Sequence, residues 1–166
     1  MRYTAVFDLD GVLFDVSERL MKCLEEVGSR STEGVPRERL NAFWNCFLGT
    51  KYMHLDRPNA EAIEYIRRLR DGGARIVIVT GRREDTQREY TLKQLAEVGV
   101  EFDEIYFRPA DCFKKDHEFK VEVVRSLLER GYEIAEVWDD SEAVVNALRR
   151  LLPTAKVILY KAGERR

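Results

Sequence analysis

Tyr3-Thr4-Ala5-Val6-Phe7-Asp8-Leu9-Asp10-Gly11 is an apolar, β-branched and aromatic run that ends in two acids and a glycine. Its composition is that of a strand buried on both faces, and Asp8 inside it is the first anomaly. Strand-like runs recur at 74–80 (Arg75-Ile76-Val77-Ile78-Val79), 104–108, 134–138 and 155–160, with helical spacing between them. Five strands alternating with helices predict an α/β fold. This is a three-layer, Rossmann-like, mostly parallel sheet with right-handed crossovers and helices on both faces.

Apolar stripes and stops mark the helices. Val16, Leu20, Cys23, Leu24 and Val27 precede Gly28, and Leu40, Phe43, Trp44 and Phe47 lie between Pro36 and Gly49. Ile63, Ile66 and Leu69 stop at Gly72-Gly73, Val121 to Leu128 at Gly131, and Val144 to Leu151 at Pro153. The segment from Glu84 to Val98 reads as helix as well. Residues 15–55 place two helices where one crossover would suffice, so they are expected to form a small helical insertion, a miniature cap. Residues 1–14 and 56–166 then form the sheet domain, entered through Asp56-Arg57-Pro58. The Phe43, Trp44, Phe47 stripe reads as core between the two parts.

The 166 residues carry 28 Lys plus Arg against 30 Asp plus Glu, a formal net charge of −2. That balance argues against disorder and against a polybasic membrane or nucleic-acid binder, so no sustained electrostatic grip on DNA or RNA is expected. Cys23, Cys46 and Cys112 form no CxxC pair and read as small buried hydrophobes in a reducing compartment, with neither disulfide nor zinc. No stretch is long and apolar enough for a membrane span, and no signal-peptide core precedes the first strand, so a cytoplasmic protein is expected.

In a parallel sheet, ligands bind beyond the carboxyl ends of the strands. There the chain places Asp8 and Asp10 after strand one, Thr80-Gly81-Arg82 after strand two, Asp139-Asp140 after strand four, and Lys120 on the helix between strands three and four. Four converging carboxylates need a counter-ion, because two unit charges 4 Å apart interact by about 4 kcal/mol at an effective dielectric near 20. An all-oxygen set with room for water and a phosphate suits Mg²⁺, and Asp8, Asp10, Asp139 and Asp140 are the candidate metal residues. Asp8 is placed for nucleophilic attack through an aspartyl-phosphate. Asp10 would act as acid and base, which calls for a pKa raised by its acidic neighbours. Thr80, Gly81, Arg82 and Lys120 would hold the phosphoryl oxygens.

Plainer readings compete at several positions. Asp139-Asp140-Ser141 also suits a helix N-cap, Lys114 and Lys115 compete with Lys120, and Arg82 could pair with Asp85 or Glu84 at the surface.

Asp8-Leu9-Asp10-Gly11-Val12-Leu13, Thr80-Gly81-Arg82, Lys120 and Asp139-Asp140 resemble, in order and spacing, the four motifs of haloacid dehalogenase-like (HAD) phosphatases. The resemblance implies Asp8 as nucleophile and Asp10 as acid/base. It also implies Mg²⁺ on Asp8, the Asp10 carbonyl and the aspartate pair, and strand order 5-4-1-2-3 with the site between strands one and four. Residues 74–160 look most like the phosphatase half of polynucleotide kinase 3′-phosphatases, through Thr80-Gly81-Arg82-Arg83, Tyr90, Arg108-Pro109, Asp111, Lys115-Asp116, Lys120 and Asp139-Asp140. No G-x-x-x-x-G-K-[ST] loop, and so no kinase half, occurs in the 166 residues.

The leading expectation is a Mg²⁺-dependent phosphomonoesterase, with a nucleic-acid 3′-phosphatase or a nucleotidase as its narrower forms. A receiver-like signalling module would carry its acid pair after strand one, and a silent phosphate-binding module would lack Asp8 or Asp10. The short insertion leaves the site open to large substrates such as nucleic-acid ends, or to coverage by a second subunit in a homodimer.

Overall fold

The computed structural model describes residues 2–163; Met1 and residues 164–166, the outermost positions of the expected sheet domain, lie outside it. Strand β1 (Tyr3–Phe7) is central. The short strands β2 (Phe14–Asp15) and β3 (Arg57–Pro58) pair antiparallel, Phe14 with Pro58 and Asp15 with Arg57, and clasp the base of the insertion. The other long strands are β4 (Arg75–Arg83), β5 (Glu104–Arg108), β6 (Glu133–Asp139) and β7 (Lys156–Leu159). They form a parallel sheet ordered β5-β4-β1-β6-β7. With the two short strands set aside this is the expected 5-4-1-2-3, read from the other edge.

The apolar strand runs are continuous because both sheet faces are covered, with successive side chains alternating between them. Ala5, Phe7, Ile76 and Ile78 pack on one face with Ala62 and Ile66 of α3 (Ala60–Asp71) and Leu95 of α4 (Glu84–Glu97). Val6, Val77, Val79 and Val137 pack on the other with α5 (Asp116–Glu129) and α6 (Glu142–Leu151). Each fully buried aliphatic or aromatic side chain contributes about 1.5–3 kcal/mol. Glu136 is buried in β6, where Tyr3, Tyr65 and Trp138 all donate hydrogen bonds to its carboxylate.

Strand β4 runs three residues past Thr80, and its register against β5 shifts between Val79 and Arg83. Helix α4 lacks an apolar stripe because its inward face is polar: Gln87, Thr91 and Gln94, at helical spacing, are all buried.

The insertion folds around a core of its own. Helices α1 (Ser17–Glu26) and α2 (Leu40–Phe47) enclose Cys23, Leu24, Val27, Val35 and Phe43. Two expectations are corrected here. Trp44 is not core: it is 47% exposed, because Phe43 and Phe47 share a face at i,i+4 and Trp44 falls beside it. The cysteines are not all free thiols, since Cys23 and Cys46 form a disulfide with their Cα atoms 5.6 Å apart, which leaves Cys112 unpaired. Packing the two helices against each other juxtaposes residues separated by 23 positions, which spacing along the chain does not reveal. With it goes the argument for a reducing compartment from free thiols. No helix among the described residues is long and apolar enough to cross a membrane.

The insertion meets α4 through polar contacts. Thr86 donates to the Leu48 carbonyl at 2.6 Å, Gln87 to those of Phe47 and Gly49, and Gln94 to that of Met53. The disulfide therefore staples a small core that is separate from the two cores of the sheet. Closing a loop of this length is worth about 3 kcal/mol in the chain-entropy account. Alkylation of the denatured, unreduced protein should modify one cysteine and reduction should raise this to three, as read by intact mass. Cys23→Ala/Cys46→Ala should lower unfolding stability by up to about 3 kcal/mol in a urea titration.

Candidate active site

Adjacent parallel strands bring the acids together. Phe7 is in register with Trp138, and the Asp8 amide donates to the Trp138 carbonyl at 3.0 Å, so Asp8 and Asp139 leave β1 and β6 side by side. Both are buried, and the Leu9 amide donates to Asp8 Oδ1 at 2.8 Å. Lys120, 3% exposed, reaches in from α5. Its Nζ lies 2.8 Å from Asp139 Oδ2, 3.2 Å from Asp8 Oδ1 and 3.5 Å from Asp116 Oδ2. Lys114 instead pairs with Glu122, and Lys115 is exposed. Asp139 also accepts the Ser141 amide, while Ser141 Oγ caps α6 through the Val144 amide.

Carboxylate oxygens of Asp8, Asp139 and Asp140 lie within 4.8 Å of one another. Burial, followed by the charge of Asp139, pushes Asp8 well above the usual carboxylate range, against the opposing Lys120 charge. The same two causes raise Asp140 to about 6. Burial would lower Lys120, but Asp8 and Asp139 outweigh it and raise its pKa. One ammonium does not neutralise this group. A hard, oxygen-preferring divalent cation such as Mg²⁺ fits the donor set. Gly11 makes the close packing possible: its φ is +82°, and a Cβ there would stand 2.2 Å from Asp140 Oδ2. Gly81 likewise admits Asp116, whose Oδ1 would lie 2.8 Å from a Cβ at that position.

Asp10 belongs to a second, adjoining cluster. Its carboxylate is gripped by Arg82 at 2.7 Å and by Arg19 at 3.0 Å. Both arginines also face Asp56, at 3.2 and 3.1 Å, and the Arg19–Asp56 contact is an ion pair off the line of a hydrogen bond. The side chains of Arg19, Arg82 and Asp56 are all fully buried. Arg82 further donates to Thr91 and Gln94, so the polar face of α4 exists to receive a guanidinium. Arg19 donates to the Phe47 carbonyl at 3.1 Å and stacks on the Phe47 ring.

Two expectations change here. Arg82 does not reach toward a substrate; its guanidinium is saturated by protein groups, and it positions Asp10. Nor is the Asp10 carboxyl raised. Burial pushes it up, but Arg82 and then Arg19 outweigh that and hold it at about 2. Its carboxylate is thus engaged away from the acid cluster, leaving its main-chain carbonyl as the donor it could give a metal. Thr80 is buried with its hydroxyl accepting the Arg82 amide at 3.0 Å, and stands two residues past Ile78, the partner of Phe7. Sequence reasoning missed Arg19 and Asp56. Arg19 stands at i+3 from Val16 and i−4 from Cys23, on the stripe that faces inward, and a charge at that position was its signal. Asp56 had none beyond its place before Arg57-Pro58.

The sequence model of the family "Polynucleotide kinase PNKP phosphatase domain" matches residues 45–158. A comparison with curated protein sequences finds no match. Two solved structures described as the Pnkp1/Rnl/Hen1 complex and the Pnkp1/Rnl/Hen1 RNA repair complex superpose with TM-scores of 0.69 and 0.71, each at 20% identity over 99% of this chain. This chain spans 48% and 44% of those chains, about half their length. A haloacid dehalogenase-like hydrolase from Streptococcus pneumoniae superposes with a TM-score of 0.65 at 16% identity, over 90% of this chain and 80% of that one. At these identities the superpositions establish the shared fold.

Replacing Arg19 by Met should cost about 3–5 kcal/mol, because it leaves Asp10 and Asp56 with a single cation. Adding Asp56→Asn should recover part of that loss in a double-mutant cycle read by urea titration. Gly11→Ala should abolish activity while circular dichroism stays near that of the parent, since the clash falls on Asp140 and not on the sheet.

Proposed function

The chain belongs to the PNKP phosphatase-domain family of haloacid dehalogenase-like phosphatases, and we propose that it hydrolyses phosphomonoesters through an aspartyl-phosphate on Asp8, its substrate the 3′-phosphorylated end of a nucleic acid. One observation carries the chemistry: a buried carboxylate at the end of β1, 3.2 Å from Lys120, inside a three-carboxylate cluster. The substrate class rests on the family match and on the Pnkp1 structures described as part of an RNA repair complex.

Asp8, Asp139, Asp140 and the Asp10 main-chain carbonyl would hold Mg²⁺, which when bound supplies positive charge that keeps the acids ionised and offsets charge on the phosphate. In the first step an Asp8 oxygen attacks phosphorus, the bond to the leaving 3′-oxygen breaks, and that oxygen takes a proton from Asp10. In the second, Asp10 removes a proton from water, the water oxygen attacks phosphorus, and the phosphorus–Asp8 bond breaks to release phosphate and free Asp8. Lys120, Thr80 and the Gly81 amide hold the phosphoryl oxygens throughout.

Pinned between two guanidiniums, Asp10 is ionised as the second step requires, but it is only weakly basic until a guanidinium withdraws. To carry the proton of the first it must release a guanidinium, and Arg19, borne by the insertion, is the one that movement of α1 would withdraw. Residues 15–55 thus act as a small cap that sets the protonation of Asp10.

Aryl phosphate hydrolysis should stop in EDTA and return with Mg²⁺. Asp8→Asn should reduce it to background, because an amide is not a nucleophile at phosphorus, and Asp10→Asn should slow it by about 10²–10⁴-fold. Among substrates, a 3′-phosphorylated oligonucleotide should give a higher kcat/KM than a 5′-phosphorylated one or a phosphosugar. Residual turnover in Asp8→Asn would exclude the covalent route, and a preferred phosphosugar would exclude the nucleic-acid reading.

A further inference from the structure

Phe113 is 94% exposed, more than any other large apolar side chain among the described residues. It sits in the segment between β5 and α5, on the same edge of the sheet as the acids. That segment is held at both ends and turned in the middle. Arg108, the last residue of β5, donates to the Lys114 carbonyl and lies 3.8 Å from Asp116, the first residue of α5. Cys112 closes a turn onto the Pro109 carbonyl at 3.1 Å and packs against the core. With Cys112 turned inward and Lys114 tied by its carbonyl, Phe113 is presented to solvent by an anchored loop. A freely moving tail would not explain its position.

The loop also touches the active site. Asp116 lies 3.5 Å from Lys120, which lies 3.2 Å from Asp8. Three residues of chain span at most about 11 Å, so Phe113 stands within that reach of Asp116. Beside it, Lys115 is exposed and makes no ion pair among the described residues.

We propose that Phe113 is a stacking platform for a base of single-stranded nucleic acid whose 3′-phosphate lies at Asp8, with Lys115 beside its backbone; this rests on the function proposed above and adds how the strand is held. An aromatic face accepts any base, so the grip is sequence-tolerant. Stacking acts on the ring face and not on the phosphate, so this part of the grip does not depend on the net charge of the chain, which is −2 with no polybasic tract.

The test compares the parent protein with Phe113→Ala and Phe113→Trp, none of which alters the acid clusters. Two substrates are assayed, a short 3′-phosphorylated oligothymidylate and an aryl phosphate. Binding of a 2-aminopurine-containing oligonucleotide is followed separately by fluorescence in EDTA, where there is no turnover. Phe113→Ala should lower kcat/KM on the oligonucleotide by about 5- to 150-fold, the range for losing one stacked base, mainly through KM. It should leave the aryl phosphate within about twofold, weaken oligonucleotide binding in parallel, and be rescued by Phe113→Trp. If the oligonucleotide binds and is hydrolysed equally well by Phe113→Ala, the platform is refuted and the 3′-phosphatase reading stands. If binding depends on Phe113 but no 3′-phosphate is released, the platform stands and that reading falls. Absence of oligonucleotide binding in the parent protein refutes both.

Discussion

Five carboxylates stand together at the carboxyl edge of the sheet, and the structure depends on bringing cations to them from elements far apart in the chain. Asp8, Asp139 and Asp140 share Lys120 from α5, while Asp10 and Asp56 share Arg82 from β4 and Arg19 from α1. At the separations seen, each unbalanced pair of like charges would cost several kcal/mol. Strand order, the seat of the insertion and the polar face of α4 all serve this balance. Glu136 shows the contrast: an equally buried acid accepts from three neutral donors and makes no ion pair among the described residues.

The two clusters differ in chemistry because they differ in partners. Around Asp8 the acids outnumber the cations, so the group favours a further positive charge. Around Asp10 two guanidiniums meet two carboxylates, the charges close, and Asp10 is driven toward ionisation. Two carboxylates two residues apart thereby acquire opposite electrostatic settings.

The insertion connects with this arrangement through contacts that water can replace. Most of its buried apolar side chains form its own core, Val16 and Met53 excepted, and the disulfide holds that core together, while side-chain amides and hydroxyls of α4 meet backbone carbonyls of the insertion. Such hydrogen bonds contribute about 1 kcal/mol each when water competes. Arg19 is the exception, a buried charge that ties α1 directly to Asp10 and Asp56. The seat of the insertion and the state of Asp10 are therefore linked through one side chain.

The parallel sheet and the gathering of Asp8, Thr80, Lys120, Asp139 and Asp140 at its carboxyl edge were legible in the chain because each depends on local pattern, whereas the strand order was implied by the family resemblance. Apolar runs mark strands, stripes mark helices, and ligand residues of this fold sit at strand ends. Helix α4 was less legible because its buried face is amide and hydroxyl, invisible to an apolar count. The role of Arg82, the depression of Asp10, the Cys23–Cys46 bond and the exposure of Trp44 were decided by tertiary structure alone. Each depends on which side chain lies across a gap between elements distant in sequence. A Coulomb interaction or a disulfide acts over a few ångströms of space and takes no account of separation along the chain.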